Sequence, residues 1–490
     1  MKKEHPVQVN GKENGKGNGQ PRYLVLADEV QTMIEAGTLR PGDRIPSIRH
    51  LSERYRVSIP TVLHAYTVLE DRRLVEARPK SGFYVRARLS SGTEVPSFSR
   101  RIPSPKTLSR FAPLMALVDD VANPRLVPMG GANPSPALLP SEKLARITGA
   151  IARRQARAVV QYDPPPGCPA LRREISRRSV EWGTYLPPED FLLTNGATEA
   201  LHLALRTVAK PGDTVMVESP IYYGILHLLS RLGLRTVAVP SSPREGLPIG
   251  AVRKVLEREK VAALIVIPNF SNPLGSLMPE AARAELVALA AQRQIPIIED
   301  DIYGDLSHRG ERPACLKSLD ADGGVLLCGS FSKTLAPGYR AGYIAGGRWH
   351  REILEAKVAL TFGGSPLPSL AIAEFLRNGG YDHHLRRLRA TFREQILRMR
   401  EAVAAAFPRE AKISDPQGGF VLWIELARQV DSMVLFEKAR EAGISIAPGH
   451  LFSPAAEFRN CIRLSCGHPR TPAMEKAVAT LGELAKRMSG

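Results

Sequence analysis

The stretch Val325–Arg340 reads VLLCGSFSKTLAPGYR. Val325–Leu327 is a short apolar run of strand length. It leads into Ser330-Phe331-Ser332-Lys333-Thr334, and Arg340 lies seven residues beyond Lys333. Ser330, Ser332 and Arg340 are good donors to a phosphate. An amine held beside that phosphate could form a Schiff base with an aldehyde. A lone Ser-x-Ser-Lys is otherwise an ordinary surface turn. The same pattern, an apolar run followed by polar chemistry, recurs on either side of it.

Outward from this stretch, helical segments of about 10–15 residues alternate with short Val/Ile/Leu runs. Examples are Val215–Val217, Ala263–Ile267, Ile295–Ile298 and Tyr343–Ala345. The alternation predicts an α/β unit with a mostly parallel sheet, whose ligands gather at the C-terminal ends of the strands. Gly196-Ala197-Thr198 opens a helix expected over Thr198–Val208, and free N–H groups behind small residues suit a phosphate. Glu299-Asp300-Asp301-Ile302-Tyr303 follows Ile295–Ile298. An acid there could keep a pyridinium nitrogen protonated, although acidic strand ends also serve metals and nucleotides. Tyr303 could hydrogen-bond a phenolate on the same ring. Asn272, within Pro268–Gly275, could donate to that oxygen or merely make an Asn-Pro turn. Tyr222 could stack on the ring or fill core. Arg463 lies in the alternating run Asn460–Ser465, where an inward guanidinium needs an anion such as a substrate carboxylate.

The N-terminal quarter differs in composition. Residues 1–110 carry 20 Lys and Arg against 11 acids, half of the +18 net charge of the 490-residue chain. That excess points to a polyanion. Residues 1–20 read as a disordered tail and the Ser/Pro/Arg-rich residues 88–112 as a linker. A small domain is therefore expected over 21–87 and a large one over 113–490. In the small domain Leu24, Leu26, Ala27, Val30 and Ile34 recur at helical spacing and Gly37 ends the helix. Ser47 caps a second helix and Ser58 a third, with Pro60 in its first turn. Runs at Leu74–Ala77 and Gly82–Arg86 make a hairpin. Three helices and a basic hairpin describe a winged helix-turn-helix, which binds DNA through its third helix. The candidate contacts are Arg44, Ser47, Arg49, Ser58, Thr61, His64 and Lys80, with Arg54 and Arg72 as further cations. A small interaction module with a solvated basic face is the alternative.

Other function classes recede. No apolar run reaches the roughly 18 residues of a membrane helix, and the first 20 residues lack a signal sequence's apolar stretch. Five scattered cysteines (Cys168, Cys315, Cys328, Cys461 and Cys466) suggest a reducing cytoplasm rather than a disulfide framework. No metal site is expected, because the adjacent His383 and His384 point apart on a helix and Cys461 and Cys466 have no second pair. Arg386-Arg387-Leu388-Arg389 reads as a solvated face.

These motifs carry a resemblance. GTLRPGDRIPSIRHLSERYRVSIPTVLHAYTVLEDRRLVEARPKSGFYV, residues 37–85, resembles the GntR-type winged-helix domain, with Ile59 standing where that family often has arginine. About 370 residues of the large unit resemble the fold-type I pyridoxal-phosphate aminotransferases, above all the kynurenine/aminoadipate group. The resemblance implies Lys333 as the Schiff-base lysine and Asp300 as partner of the pyridine nitrogen. It puts Asn272 and Tyr303 on the ring oxygen and Tyr222 against the ring. Gly196, Ala197, Thr198, Ser330, Ser332 and Arg340 would hold the phosphate, and Arg463 the α-carboxylate. Tyr162, in QYDPPPG at 161–167, matches a tyrosine that reaches the phosphate of the neighbouring subunit, implying a homodimer with shared sites. Both halves in this order resemble the MocR-type regulators of the GntR superfamily. That implies a transcription regulator that binds a double-stranded operator and senses pyridoxal 5′-phosphate, or an amino acid or amine through an external aldimine. The alternative is an aminotransferase with a DNA-binding appendage.

Overall fold

The computed structural model describes residues 21–40, 42–72, 74–78, 82–86, 94–97, 112–455 and 457–489. The expected tail 1–20, Lys80 and linker residues 88–93 and 98–111 lie outside the described residues. The chain divides into two compact units, Met1–Gly92 and Thr93–Gly490.

In the first unit, α1 (Arg22–Glu35) buries Leu26, Ala27, Val30 and Ile34 on one face and ends at Ala36, with Gly37 at φ 73°. Ser47 caps α2 (Ile48–Tyr55) by accepting from His50 N at 3.3 Å. Arg56, left-handed at φ 49°, ends that helix. Ser58 caps α3 (Ile59–Asp71) by accepting from Thr61 N at 3.3 Å. Each such cap is worth about 1 kcal/mol. The strands β1 (Val75–Arg78) and β2 (Gly82–Val85) pair antiparallel, Val75 opposite Val85. Tyr66, fully buried on α3, meets Phe83 of β2 edge-on at 4.8 Å and so ties the hairpin to the helices.

The second unit is built on a seven-stranded sheet. Its strands are β3 (Phe191–Thr194), β4 (Thr214–Ser219), β5 (Arg235–Pro240), β6 (Val261–Val266), β7 (Ile297–Asp300), β8 (Val325–Ser330) and β9 (Gly342–Ala345). The spatial order is β3-β9-β8-β7-β6-β4-β5. Only β9 runs antiparallel to its neighbours within this sheet. Side chains alternate between two packed faces. Val215, Ala263 and Ile298 join the helices at 197–208 and 223–231, whereas Met216, Leu264 and Ile297 join those at 249–258 and 280–292. Burial on both faces is why these strands read as unbroken apolar runs. Two strands outlast their runs. Asp300 pairs with Cys328 and β8 continues to Ser330, so these polar groups are the last rungs of the ladder rather than the first residues after it.

The C-terminal part forms an antiparallel sheet of β10 (Lys412–Ile413), β11 (Val421–Glu425), β12 (Ala447–Pro448) and β13 (Cys461–Ser465), in the order β10-β11-β13-β12. Its core takes in α4 (Ala112–Ala122) through Leu114 and Leu117. Residues 94–97 follow its outer edge, where Ile413 N donates to Glu94 O at 3.1 Å. The expected solvated face at 386–389 holds for Arg386 and Arg387, which are exposed, and is corrected for the other two residues. Leu388 is buried core, and Arg389 donates to Asp305 O at 2.5 Å and Gly310 O at 2.7 Å. Neither contact has a local sign in the charge pattern of that helix.

Candidate functional site

A cavity of roughly 310 Å³ opens over the C-terminal ends of β4, β6, β7 and β8. Tyr222, Asn272, Asp300, Tyr303, Ala197, Thr198, Ser330, Ser332, Lys333 and Arg340 all line it. Parallel strands bring these residues, far apart in sequence, to one sheet edge.

At one end lies α5 (Ala197–Val208), whose first N–H groups face the cavity side of Gly196. Arg340 reaches across Gly196 to donate to Asn195 O at 3.1 Å and to Ser332 Oγ at 3.4 Å. Ser330 Oγ lies 2.9 Å from Ser332 Oγ. A helix start, two hydroxyls and a guanidinium make an anion cup. Gly196 sits at φ 83°, which side chains rarely adopt, and a Cβ there would lie 2.4 Å from Arg340 Nη2, so the guanidinium would have to shift.

Beside the cup Lys333 Nζ donates to Ala132 O at 2.7 Å and Asn133 Oδ1 at 3.3 Å. Burial, helped by the Arg463 charge, brings its pKa down to about 8. Asp300 sits on the cavity floor. Burial, and the neighbouring Asp301 charge, push its carboxyl up to about 7. Asp300 Oδ1 is buried without a hydrogen-bond partner. An orphaned, buried carboxylate oxygen on a residue that lines a cavity calls for a hydrogen-bond donor. Asp301, by contrast, is fully engaged. It accepts from Asn269 Nδ2 at 2.8 Å and pairs with Arg312, which also holds Asp305 at 2.8 Å.

The opposite wall joins the two sheets. Asn272 Nδ2 donates to Tyr303 Oη at 3.4 Å, and Asn272 Oδ1 accepts from Arg463 Nη1 at 3.3 Å. Arg463, on β13 and wholly buried, also donates to Gly130 O and leaves Nε unpartnered. Its guanidinium stands between the rings of Tyr223 and Phe452, at 5.9 and 5.5 Å. Burial pushes the Tyr222 and Tyr303 phenols well up, so both are neutral donors.

Tyr162 is elsewhere. It is 86% exposed, makes an edge contact with Phe362 at 5.5 Å and does not line this chain's cavity. Two partners escaped the sequence reading: the Gly130 carbonyl is a backbone group without a side-chain signature, and Tyr223 was hidden beside Tyr222 in a Tyr-Tyr pair. Ala132 and Asn133, which hold Lys333 Nζ, lie in the stretch Gly131-Ala132-Asn133-Pro134 that resembles the aminotransferases' substrate-entry loop.

In the first unit Arg44, Ser47, Arg49, Ser58 and His64 are exposed and Thr61 is half-buried. Arg44 bridges to Tyr84, and its guanidinium lies over Gly82 in the hairpin. Ser47 and Ser58 act as helix caps, and Thr61 Oγ1 lies 2.8 Å from Ser58 Oγ. His64 stacks on Tyr23 of α1 at 3.9 Å. Arg72 pairs with Asp28 and donates to Gln31 at 2.9 Å, which fastens the end of α3 to α1 and occupies its guanidinium. Among the described residues no cluster of three or more His, Cys, Asp or Glu is set to hold a metal, and no helix is long and apolar enough to cross a membrane.

Comparison with known proteins gives both units a family. The aminotransferase class I and II model matches residues 132–481, and the bacterial regulatory proteins, gntR family, model matches residues 22–85. YjiR of Escherichia coli K12, named an uncharacterized HTH-type transcriptional regulator, is 35% identical over 95% of this chain and 99% of its own. The 2-aminoadipate transaminase of Thermus thermophilus is 30% identical over 74% of this chain and 91% of its own. Among solved structures, the α-aminoadipate aminotransferase LysN of Thermus thermophilus, complexed with N-(5′-phosphopyridoxyl)-L-leucine, superposes with a TM-score of 0.72. It is 29% identical and covers 77% of this chain and 95% of its own.

Proposed function

The chain belongs to the HTH-type transcriptional regulators in which a gntR-family region precedes an aminotransferase class I and II domain, and from that premise we propose that pyridoxal 5′-phosphate in the large unit controls operator binding by the small one. The observation that carries this reading is the buried, unpartnered Asp300 Oδ1 in the same cavity as Lys333 and the anion cup. A protonated pyridine nitrogen is the donor that oxygen lacks. When bound, the cofactor supplies an electrophilic aldehyde and an electron sink.

The residues then take distinct tasks. Gly196, Ala197, Thr198, Ser330, Ser332 and Arg340 hold the phosphate. Asp300, raised to about 7 while unpartnered, becomes a stable carboxylate once a cation stands against it. Asn272 and Tyr303 would hold the ring oxygen, and Tyr222 would lie against the ring. Lys333, its pKa brought down to about 8 by burial, would present a largely uncharged amine toward the cofactor at mildly alkaline pH. Arg463 holds the carboxylate of an α-amino acid effector. Tyr162, exposed in one subunit, reaches the phosphate of a second, so the working form is a homodimer with shared sites. In that dimer two winged helices face two operator half-sites in the cytoplasm. Arg44, Ser47, Arg49, Ser58, Thr61, His64 and Lys80 make the contacts.

A second reading is favoured by one observation. Arg463 is wholly buried with Nε still free, which a device sensing the cofactor alone does not need. Lys333 Nζ can also accept the α-proton of an amino acid held there, so slow transamination accompanies regulation.

The test uses purified full-length protein. Borohydride treatment followed by peptide mapping is expected to place the cofactor on Lys333, and Lys333→Ala is expected to lose it. Retardation of the DNA upstream of the protein's own gene is expected to change with the cofactor. A cofactor mass retained in Lys333→Ala, or retardation indifferent to cofactor and amino acids alike, refutes the reading.

A further inference from the structure

Residues 94–97 do not behave as a free tether. Glu425 of β11 grips Ser97 twice, accepting from its backbone N at 2.6 Å and from its Oγ at 2.8 Å. Lys412 Nζ, on β10, lies 3.4 Å from the Glu94 carboxylate and 3.9 Å from Glu425. Ile413 N donates to Glu94 O, which adds the segment to the sheet edge, and Pro96 between the two anchors is buried. The Glu425 side chain is only 16% exposed, whereas that of Glu94 is 75% exposed, so Glu425 is the shielded member of the clamp.

The sheet that receives this segment is the one that carries Arg463. Glu425 pairs with Cys461 in the β11–β13 ladder, and Trp423, two residues along the same strand, pairs with Arg463. Any shift of β13 on seating a carboxylate therefore acts on the strand that holds Ser97. The anchor also fixes the tether length. With Glu94 held, residues 87–93 can span at most about 28 Å, and with it released residues 87–111 can span as much as about 90 Å.

We propose that the clamp of Glu94 and Ser97 by Lys412 and Glu425 is the latch through which ligand held at Arg463 changes DNA binding. It rests on the function proposed above and adds to it a coupling site. An allosteric element needs two states that the ligand populates differently, and a segment held to a sheet edge by four polar contacts has a held and a released state available to it. A coupling of 1–3 kcal/mol corresponds to about 5- to 150-fold in affinity.

The experiment uses full-length protein, the DNA upstream of its own gene, and N-(5′-phosphopyridoxyl)-L-leucine as the probe that fills the phosphate cup and the Arg463 site together. DNA affinity is measured with and without the probe for the wild type, Glu425→Ala, Lys412→Glu and Glu425→Gln. Glu425→Ala and Lys412→Glu are expected to bind the probe as the wild type does. They are also expected to lose about ten-fold or more of the probe-dependent change in DNA affinity. In both, trypsin is expected to cut at Arg100–Arg101 faster. Glu425→Gln, whose amide oxygen can still accept from Ser97, is expected to keep most of the response. A full probe response in both Glu425→Ala and Lys412→Glu overturns the latch and leaves the proposed function standing. A wild type that binds the probe with no change in DNA affinity overturns both. Unchanged trypsin cleavage with a lost response also overturns the latch, because coupling then runs elsewhere.

Discussion

Replacing Gly196 by alanine separates the cofactor cup from mere fold stability. Gly196 has φ 83° and ψ 173°. Only glycine adopts that region at low cost, and another residue there costs about 1–3 kcal/mol. The new methyl would also lie 2.4 Å from Arg340 Nη2 and 2.9 Å from Cζ. The guanidinium must then leave Asn195 O and Ser332 Oγ, and with them its aim at the phosphate. Losing one charged donor costs about 1.5–3 kcal/mol, or about 10- to 150-fold in the dissociation constant. Gly212→Ala is the control, since Gly212 has φ 91° with no atom within 4 Å of its would-be Cβ. It bears a backbone cost away from the cavity. Both variants are titrated with pyridoxal phosphate by visible absorbance after stripping, and both are unfolded in urea. Both are expected to lose stability, and only Gly196→Ala to lose cofactor affinity. If Gly196→Ala binds within about two-fold of the wild type, roughly 0.4 kcal/mol, Arg340 does not hold the phosphate.

The depressed pKa of Lys333 sets a pH window. The folded protein disfavours the charged amine relative to the unfolded chain, so this lysine weighs against the fold below about pH 8, and the penalty disappears as pH rises to its ordinary 10.5. Cofactor uptake by stripped protein is correspondingly expected to rise through about pH 8 and level off, and a stopped-flow rate still climbing at pH 10 contradicts it. Arg463→Met is expected to weaken amino-acid binding by about 30- to 1000-fold, read as the spectral response, while cofactor affinity changes little. Arg49→Ala and Arg44→Ala are each expected to lower the salt slope of DNA binding by about 1. Arg72→Ala, whose guanidinium is tied to Asp28, is expected to lower the melting temperature and leave that slope alone.

What the sequence made legible followed from burial. Strands covered on both faces must be apolar at every position, so β4, β6 and β8 stood out as runs, and the polar groups at their ends stood out against them. Strand ends were misplaced for the same reason. Hydropathy stops at Ile298, but the hydrogen-bond ladder continues through Asp300, and a ladder leaves no mark on residue type. Ser47 and Ser58 were readable as caps because capping needs only a local hydroxyl. Contacts that depend on distant packing were not readable. Arg72 looked like a phosphate ligand until Asp28 met it across the helices, and Arg389 looked solvated until Asp305 and Gly310 closed over it. The grip of Glu425 on Ser97 joins positions more than three hundred residues apart in the chain.

The charge layout of the cavity constrains its ligand independently of family. Among the described residues lining it, Asp300 is the one acid, while Lys333 and Arg340 line it and Arg463 borders it as cations. Arg340 stands with the helix start and the two serines, whereas Arg463 contacts Asn272 of the lining. Two separate cationic groupings thus stand at or beside the lining, together with the Lys333 amine. Asp300 offers its unpartnered oxygen on the floor, where only a cationic donor offsets the burial that lifts its pKa. A nucleotide satisfies the cup and leaves Arg463 and Asp300 unmet. A simple amino acid satisfies Arg463 and leaves the cup and Asp300 unmet. On the function proposed above, a phosphorylated pyridinium joined to an amino acid would meet all three.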